Sequence, residues 1–114
     1  MSDLARERCS ACEPGAPAVT GEERAQLLER LPGWTVRYEN GVPVLVRLFV
    51  CADFAAALRF ANAIGAMADA EDHHPRLVVE WGRVEVSWWT HTIDGLHRND
   101  FILAARTDAL AQTL

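Results

Sequence analysis

Residues 76–91 read RLVVEWGRVEVSWWTH. Two β-rich runs flank Gly82. Before it, Leu77, Val79 and Trp81 fall on one face. After it, Val84, Val86 and Trp88 alternate with Glu85, Ser87, Trp89 and His91. Gly82 is placed to open a two-residue type II′ turn, so the stretch predicts an antiparallel hairpin. A second such signal lies upstream in WTVRYENGVPVLVRLFV, residues 34–50, where two β-rich runs flank Asn40-Gly41. Trp34, Val36 and Tyr38 share a face of the first run. Pro43, just past the turn, suggests an edge strand or a slightly longer loop.

Helical patterns surround these hairpins. In TGEERAQLLERL, Thr20 and Glu23 form a capping-box pattern. Ala25, Leu28 and Leu31 recur at helical spacing, with Leu27 beside them, and Pro32-Gly33 stops the run. Asp53 caps a long helix over about residues 53–72, with Phe54, Leu58, Ala61, Ile64 and Ala68 as its apolar stripe. Pro75 disfavours helix at His74 and ends it near His73. TIDGLHR is a polar connection with an Asp-Gly turn, and from about Asn99 or Asp100 an amphipathic helix closes the sequence. The order α-β-β-α-β-β-α predicts an α+β fold: a four-stranded antiparallel sheet with helices packed on one face.

Composition narrows the function. The 114 residues, half of them apolar, suit one domain. Residues 1–19 mix charges with Gly, Pro and Ala and read as a flexible N-terminal tail, with the domain over 20–114. The tail shows no apolar signal-peptide core, which makes the cytoplasm the expected location. No run is long enough for a membrane span, and a net charge of −5 without a basic cluster argues against nucleic acid. All eleven basic residues are arginine, so Schiff-base chemistry and the P-loop are excluded. The same Ala- and Arg-rich, lysine-free composition reads as bacterial. Cys9 and Cys12 form a lone CxxC, a weak redox or zinc signal, and Cys51 is expected to pack at a strand end.

The chemistry concentrates in DAEDHHPRL, residues 69–77. Asp69 lies four residues before His73, so on a helix the two stack and the carboxylate can fix the imidazole tautomer. A solvated helix-end pair of little consequence is the other reading. His74 follows where the chain leaves the helix and diverges from His73. His91, at a strand end, is the third histidine; Asp100 is either a fourth site residue or an ordinary helix-start carboxylate. His97, in the polar connection, reads as exposed. No HExxH or other ligand spacing supports a metal, whereas imidazoles suit proton transfer to and from a small molecule.

The series Asp69-x3-His73-His74-Pro75, Trp81, Val84, Thr90-His91, Gly95-Leu96 and Asp100, with Gly33-Trp34 upstream, resembles the pterin-4a-carbinolamine dehydratase family over about residues 20–110. The resemblance implies a homodimer or homotetramer. It also implies dehydration of 4a-hydroxytetrahydrobiopterin to the quinonoid dihydropterin, in the recycling that follows aromatic amino acid hydroxylases, with no metal or organic cofactor. By position, His73 and His91 would be the acid/base pair supported by Asp69. His74 would bind substrate, with Pro75 beside it, and Asp100 would lie at the binding site and support an imidazole. Asp69 stands where the family often has Glu, Trp81 where Tyr is common, and Leu77 where an aromatic is frequent. Other roles consistent with the resemblance are a pterin-binding protein in molybdenum-cofactor metabolism and a protein-partner or coactivator module. A hydroxylase is one candidate partner.

Overall fold

The computed structural model describes residues 3–9 and 17–114. Its elements are α1 (Asp3–Arg6), α2 (Gly21–Glu29), β1 (Thr35–Glu39), β2 (Val42–Val50), α3 (Phe54–Glu71), β3 (Arg76–Glu80), β4 (Arg83–Trp88), a 3-10 turn (His91–Ile93) and α4 (Arg98–Ala111). The four strands form one sheet in the order β1-β2-β4-β3, every neighbour antiparallel. The expected α+β architecture is present, with the short α1 in addition.

Both hairpins close tightly. Asn40 and Gly41 both have positive φ, 51° and 79°, the signature of a type I′ turn. Glu39 pairs with Val42 across it, so Tyr38 and Pro43 form the next pair, one that exchanges no ladder hydrogen bonds. The Pro43 nitrogen therefore points towards the β4 side, where pairing starts only at Leu45. That is how proline sits in a central strand at no ladder cost. In the second hairpin Glu80 pairs with Arg83, so the turn residues are Trp81 and Gly82 rather than Gly82 and Arg83. Gly82 takes the second position with φ 77°, which leaves Trp81 exposed at the tip instead of extending the Leu77–Val79 face.

The inner face of the sheet carries Leu45, Phe49, Val84, Val86 and Trp88, all buried against α3 and α4. Phe49 makes edge-on contacts with Trp34 and Phe60, at centroid distances of 5.9 and 4.9 Å. Trp88 hides its ring while its indole N–H donates to the Thr107 hydroxyl, so burial leaves no orphaned donor. Each such side chain taken from water contributes about 1.5–3 kcal/mol. Cys51 packs at the end of β2, and burial, then the Asp53 carboxylate, pushes its thiol up, away from reactivity.

The long helix meets its N-cap but only part of its expected face: Ile64 and Ala68 of the expected stripe are buried. Asp53 accepts from the Ala56 N–H at 2.8 Å, as a helix N-cap does. The buried residues, however, are Ala56, Ala57, Phe60, Ile64 and Ala68, while Phe54 and Leu58 remain substantially exposed. Alanine and glycine make α3 apolar around most of its circumference, so periodicity marks a helix here without choosing the side that packs.

Residues 3–9 depart from the flexible tail expected of the N-terminus. Leu4 is fully buried in the core, and α1 lies against α4. Arg98 holds Glu7 through two parallel hydrogen bonds of 2.8 Å. Cys12 and most of the proline-containing stretch before residue 17 lie outside the described residues. Hydrogen bonds from Arg98, opposed in part by burial and helped by the charges of Arg98 and Arg30, hold the Glu7 carboxyl below its usual range. A depressed folded-state pKa gives stability that is present above the unfolded value near 4.5 and lost as pH falls through the folded value. Glu7→Gln should therefore lower the melting temperature at neutral pH, and the difference from the native chain should vanish in strong acid. A difference independent of pH would show that the ion pair does not contribute.

Candidate active site

Three elements converge at one end of the sheet: the end of α3, the end of β4 with its 3-10 turn, and the start of α4. Asp72, in the left-handed conformation at φ 50°, caps α3, and its N–H returns to Ala68 and Asp69. The chain thus leaves the helix one residue before His73. The i, i+4 geometry that would stack Asp69 under His73 does not exist, and the expected Asp69–His73 pair does not form.

His73 turns inward. Its Nε2 lies 2.7 Å from Asp100 Oδ1, and the pair is buried, His73 at 9% exposure and Asp100 at 0%. The second oxygen of Asp100 accepts from the Thr90 hydroxyl at 2.7 Å and from the His97 backbone N–H at 2.9 Å. Two oxygens therefore receive three donors, which fixes the carboxylate in place. Because an aspartate oxygen only accepts, this geometry sets the His73 tautomer with the proton on Nε2 and leaves Nδ1 with its lone pair. Asp100 is fully buried, and both of its oxygens face protein groups: His73 on one side, Thr90 and the His97 N–H on the other.

Asp69 instead meets His74, with Nε2 to Oδ1 at 2.9 Å, on the open surface. Their side chains are 55% and 81% exposed, so the pair is solvent-screened and contributes little to stability. His91 stands beside them: its Nε2 is 3.4 Å from the His74 carbonyl, and its ring lies 4.4 Å from that of Trp89, tilted 34°. The strand end, the 3-10 turn and a bridge between Thr90 and Gly95 hold it there. Pro75 fixes the exit from the His73-His74 bend into β3. The three histidines, Asp69 and Asp100 thus gather in one region, with His73 and His74 pointing to different partners. Among the described residues no group of three or more His, Cys, Asp or Glu side chains is arranged to hold a metal ion.

His97 and Thr90 are the residues sequence reasoning missed. His97 is half-buried rather than exposed: its Nδ1 accepts from the Asn99 N–H at 3.0 Å, and Asp100 returns to the His97 N–H, a capping box at the head of α4. The His97-x2-Asp100 spacing carried that signal, with histidine in the place usual for serine or threonine. Thr90 was visible only as the neighbour of His91. A cavity of about 180 Å³ lies elsewhere, between α3 and the end of α4, beside Phe60, Ala63 and Leu110, and no histidine borders it.

Comparison with known proteins matches residues 17–110 to the family model described as pterin 4 alpha carbinolamine dehydratase. The chain belongs to the pterin 4 alpha carbinolamine dehydratase family. A Chlorobium luteolum protein named as a pterin-4-alpha-carbinolamine dehydratase is 46% identical over 114 residues, all of both chains. Among solved structures, a transcriptional coactivator/pterin dehydratase from Brucella melitensis superposes with a TM-score of 0.75 at 29% identity, covering 83% of this chain and 99% of that one. A pterin dehydratase-like protein identified as a RuBisCO assembly factor in the alpha-carboxysome gives a TM-score of 0.59 at 25% identity, covering 69% and 89%. The family model begins at residue 17, so the docked segment 3–9 lies outside it. No helix among the described residues is long and apolar enough to cross a membrane.

Proposed function

We propose that this pterin carbinolamine dehydratase family member removes water from 4a-hydroxytetrahydrobiopterin, giving the quinonoid dihydropterin, by histidine acid/base catalysis. The observation that carries the reading is the buried His73–Asp100 pair beside two exposed histidines. In the reaction the C4a–O bond breaks and the hydroxyl leaves as water after receiving a proton. The N5–H bond breaks in turn, its proton passes to a base, and its electron pair forms the C4a=N5 double bond. Atoms and charge balance without an electron carrier.

His73 suits the base. With Nε2–H anchored on Asp100, Nδ1 is left to accept the proton, and the carboxylate stabilises the imidazolium that forms. His91, open to solvent beside Trp89, suits the acid, because it can recover its proton from water after each turnover. His74, held by Asp69 at the rim, suits substrate binding, with Pro75 fixing the bend it stands on.

The test is dehydration of freshly generated 4a-hydroxytetrahydrobiopterin, followed by ultraviolet absorbance against the spontaneous reaction. His74→Ala should raise KM with kcat nearly retained, as expected of uniform binding lost. A defect confined to kcat would give His74 the proton-transfer role instead.

A second reading, as a partner-binding module, is favoured by the open face of the sheet. There Leu48, Val50 and Val78 are exposed together, Val50 at 82%. The names of the two structural relatives, a coactivator and an assembly factor, point the same way. Saturating dehydratase activity in the isolated chain would favour the first reading, and its absence in folded protein the second.

A further inference from the structure

The proton transfer proposed for His73 depends on a hydrogen bond between two separate elements. His73 follows the end of α3, and Asp100 lies in the first turn of α4. Nothing local keeps the two at 2.7 Å, so the relative placement of these two helix ends decides it. The N-terminal segment reaches both. Glu7 is gripped by Arg98, the first residue of α4 and two before Asp100. Arg106, further along α4, donates to Glu71, the last residue of α3 and two before His73. The same guanidinium donates to the backbone carbonyls of Ala5 and Glu7. Leu4 anchors the segment in the core.

We infer that residues 3–9 form a positioning strap, in which Glu7, Arg98 and Arg106 set the distance between His73 and Asp100. The inference rests on the catalytic reading of His73 and deepens it, by assigning to that site a part of the chain outside the residues the family model matches. The arginines are what make the segment a strap. A planar guanidinium binds two or more acceptors in fixed directions, so Arg106 fixes Glu71 relative to the segment and Arg98 fixes the segment relative to the head of α4. Loosening either link should let the helix ends move apart by fractions of an ångström. Displacements on that scale are costly in proton transfer.

The experiment uses the full-length chain with Glu7→Gln and Arg106→Met, and with Arg83→Gln as control, since among the described residues the Arg83 side chain pairs only with Glu80, on the exposed hairpin. Two readouts are taken beside the melting temperature: the kcat and KM of dehydration, and the 15N shifts of the two His73 ring nitrogens in alkaline buffer, assigned with His73→Ala. In the native chain those shifts should be widely separated, one nitrogen protonated and one bare. Glu7→Gln should lower kcat about threefold to tenfold with KM within about twofold, and draw the two shifts towards their average. Arg106→Met should do the same more strongly, and Arg83→Gln should do neither. Unchanged kcat and shifts in a folded Glu7→Gln chain would overturn the strap, as would a fall in kcat with the shifts still separated, which would mark a merely structural role. Should Arg106→Met fail to fold, Glu7→Gln decides alone. Should the native chain show no dehydration, the catalytic reading fails, while the 15N shifts still test the strap.

Discussion

His73→Ala is expected to lower the turnover of 4a-hydroxytetrahydrobiopterin by about 10²-fold or more, the contribution usual for a positioned general base. The substitution removes the imidazole and leaves Asp100 Oδ1 facing the space it occupied, with Thr90 and His97 still donating to the other oxygen. Because those two bonds hold Asp100 from the β4 and α4 sides, the folded structure should survive, and circular dichroism should match the native chain. His91→Ala should give a loss of the same order, through the acid rather than the base. Turnover at the native rate in both variants would sink the acid/base assignment.

The second large effect is expected of Asp100→Asn, which changes the shape of the side chain little. An amide has one oxygen and one NH2, so it cannot accept three hydrogen bonds at the two positions where the carboxylate does. If the oxygen keeps Thr90 and the His97 N–H, the NH2 faces His73 Nε2, and the ring must give up the proton there. It then carries hydrogen on Nδ1, the nitrogen needed as base, and turnover should fall by about 10²-fold with little change in KM. If the amide flips, a buried donor faces the Thr90 hydroxyl and the His97 N–H, and the unfilled bonds cost about 1–3 kcal/mol. Kinetics and denaturant unfolding together distinguish these outcomes. An Asn variant with native turnover and stability would show that the carboxylate neither orients His73 nor supports the fold. The outcome bears on Thr90 as well, because its hydroxyl shares the Oδ2 atom with His97.

The pairing of acids with histidines is where local reading failed, and the cause is one residue. A helix running through His73 would have put Asp69 on its face, but Asp72 turns left-handed and ends α3 at Glu71. Pro75 correctly marks an end; it does not reveal that the cap lies a residue earlier. His73 then swings towards α4, and the carboxylate it finds is 27 positions away in sequence. The α3 stripe fails for a different reason. With alanine on every side, its hydrophobic pattern carries little directional information, and the sheet it packs on chooses the face.

The two hairpins and the three long helices were legible in short stretches of the sequence. Asn40-Gly41 closes a type I′ hairpin because few other pairs accept two positive φ values at so little cost. Thr20 and Asp53 start helices through oxygens that reach backbone N–H groups three residues on. Alternation in 76–91 makes a strand pair, and Pro75 prevents helix α3 from running on into it. These effects act within a few residues, so they are written in short stretches of sequence. Long-range packing, by contrast, sets which carboxylate meets His73, that His97 caps α4 and that residues 3–9 are docked. Each depends on groups between 27 and about a hundred positions apart, or on a cap whose histidine could equally have faced solvent. Such bonds form only after the apolar faces have packed, because burial is what brings those groups together and keeps water from competing for them.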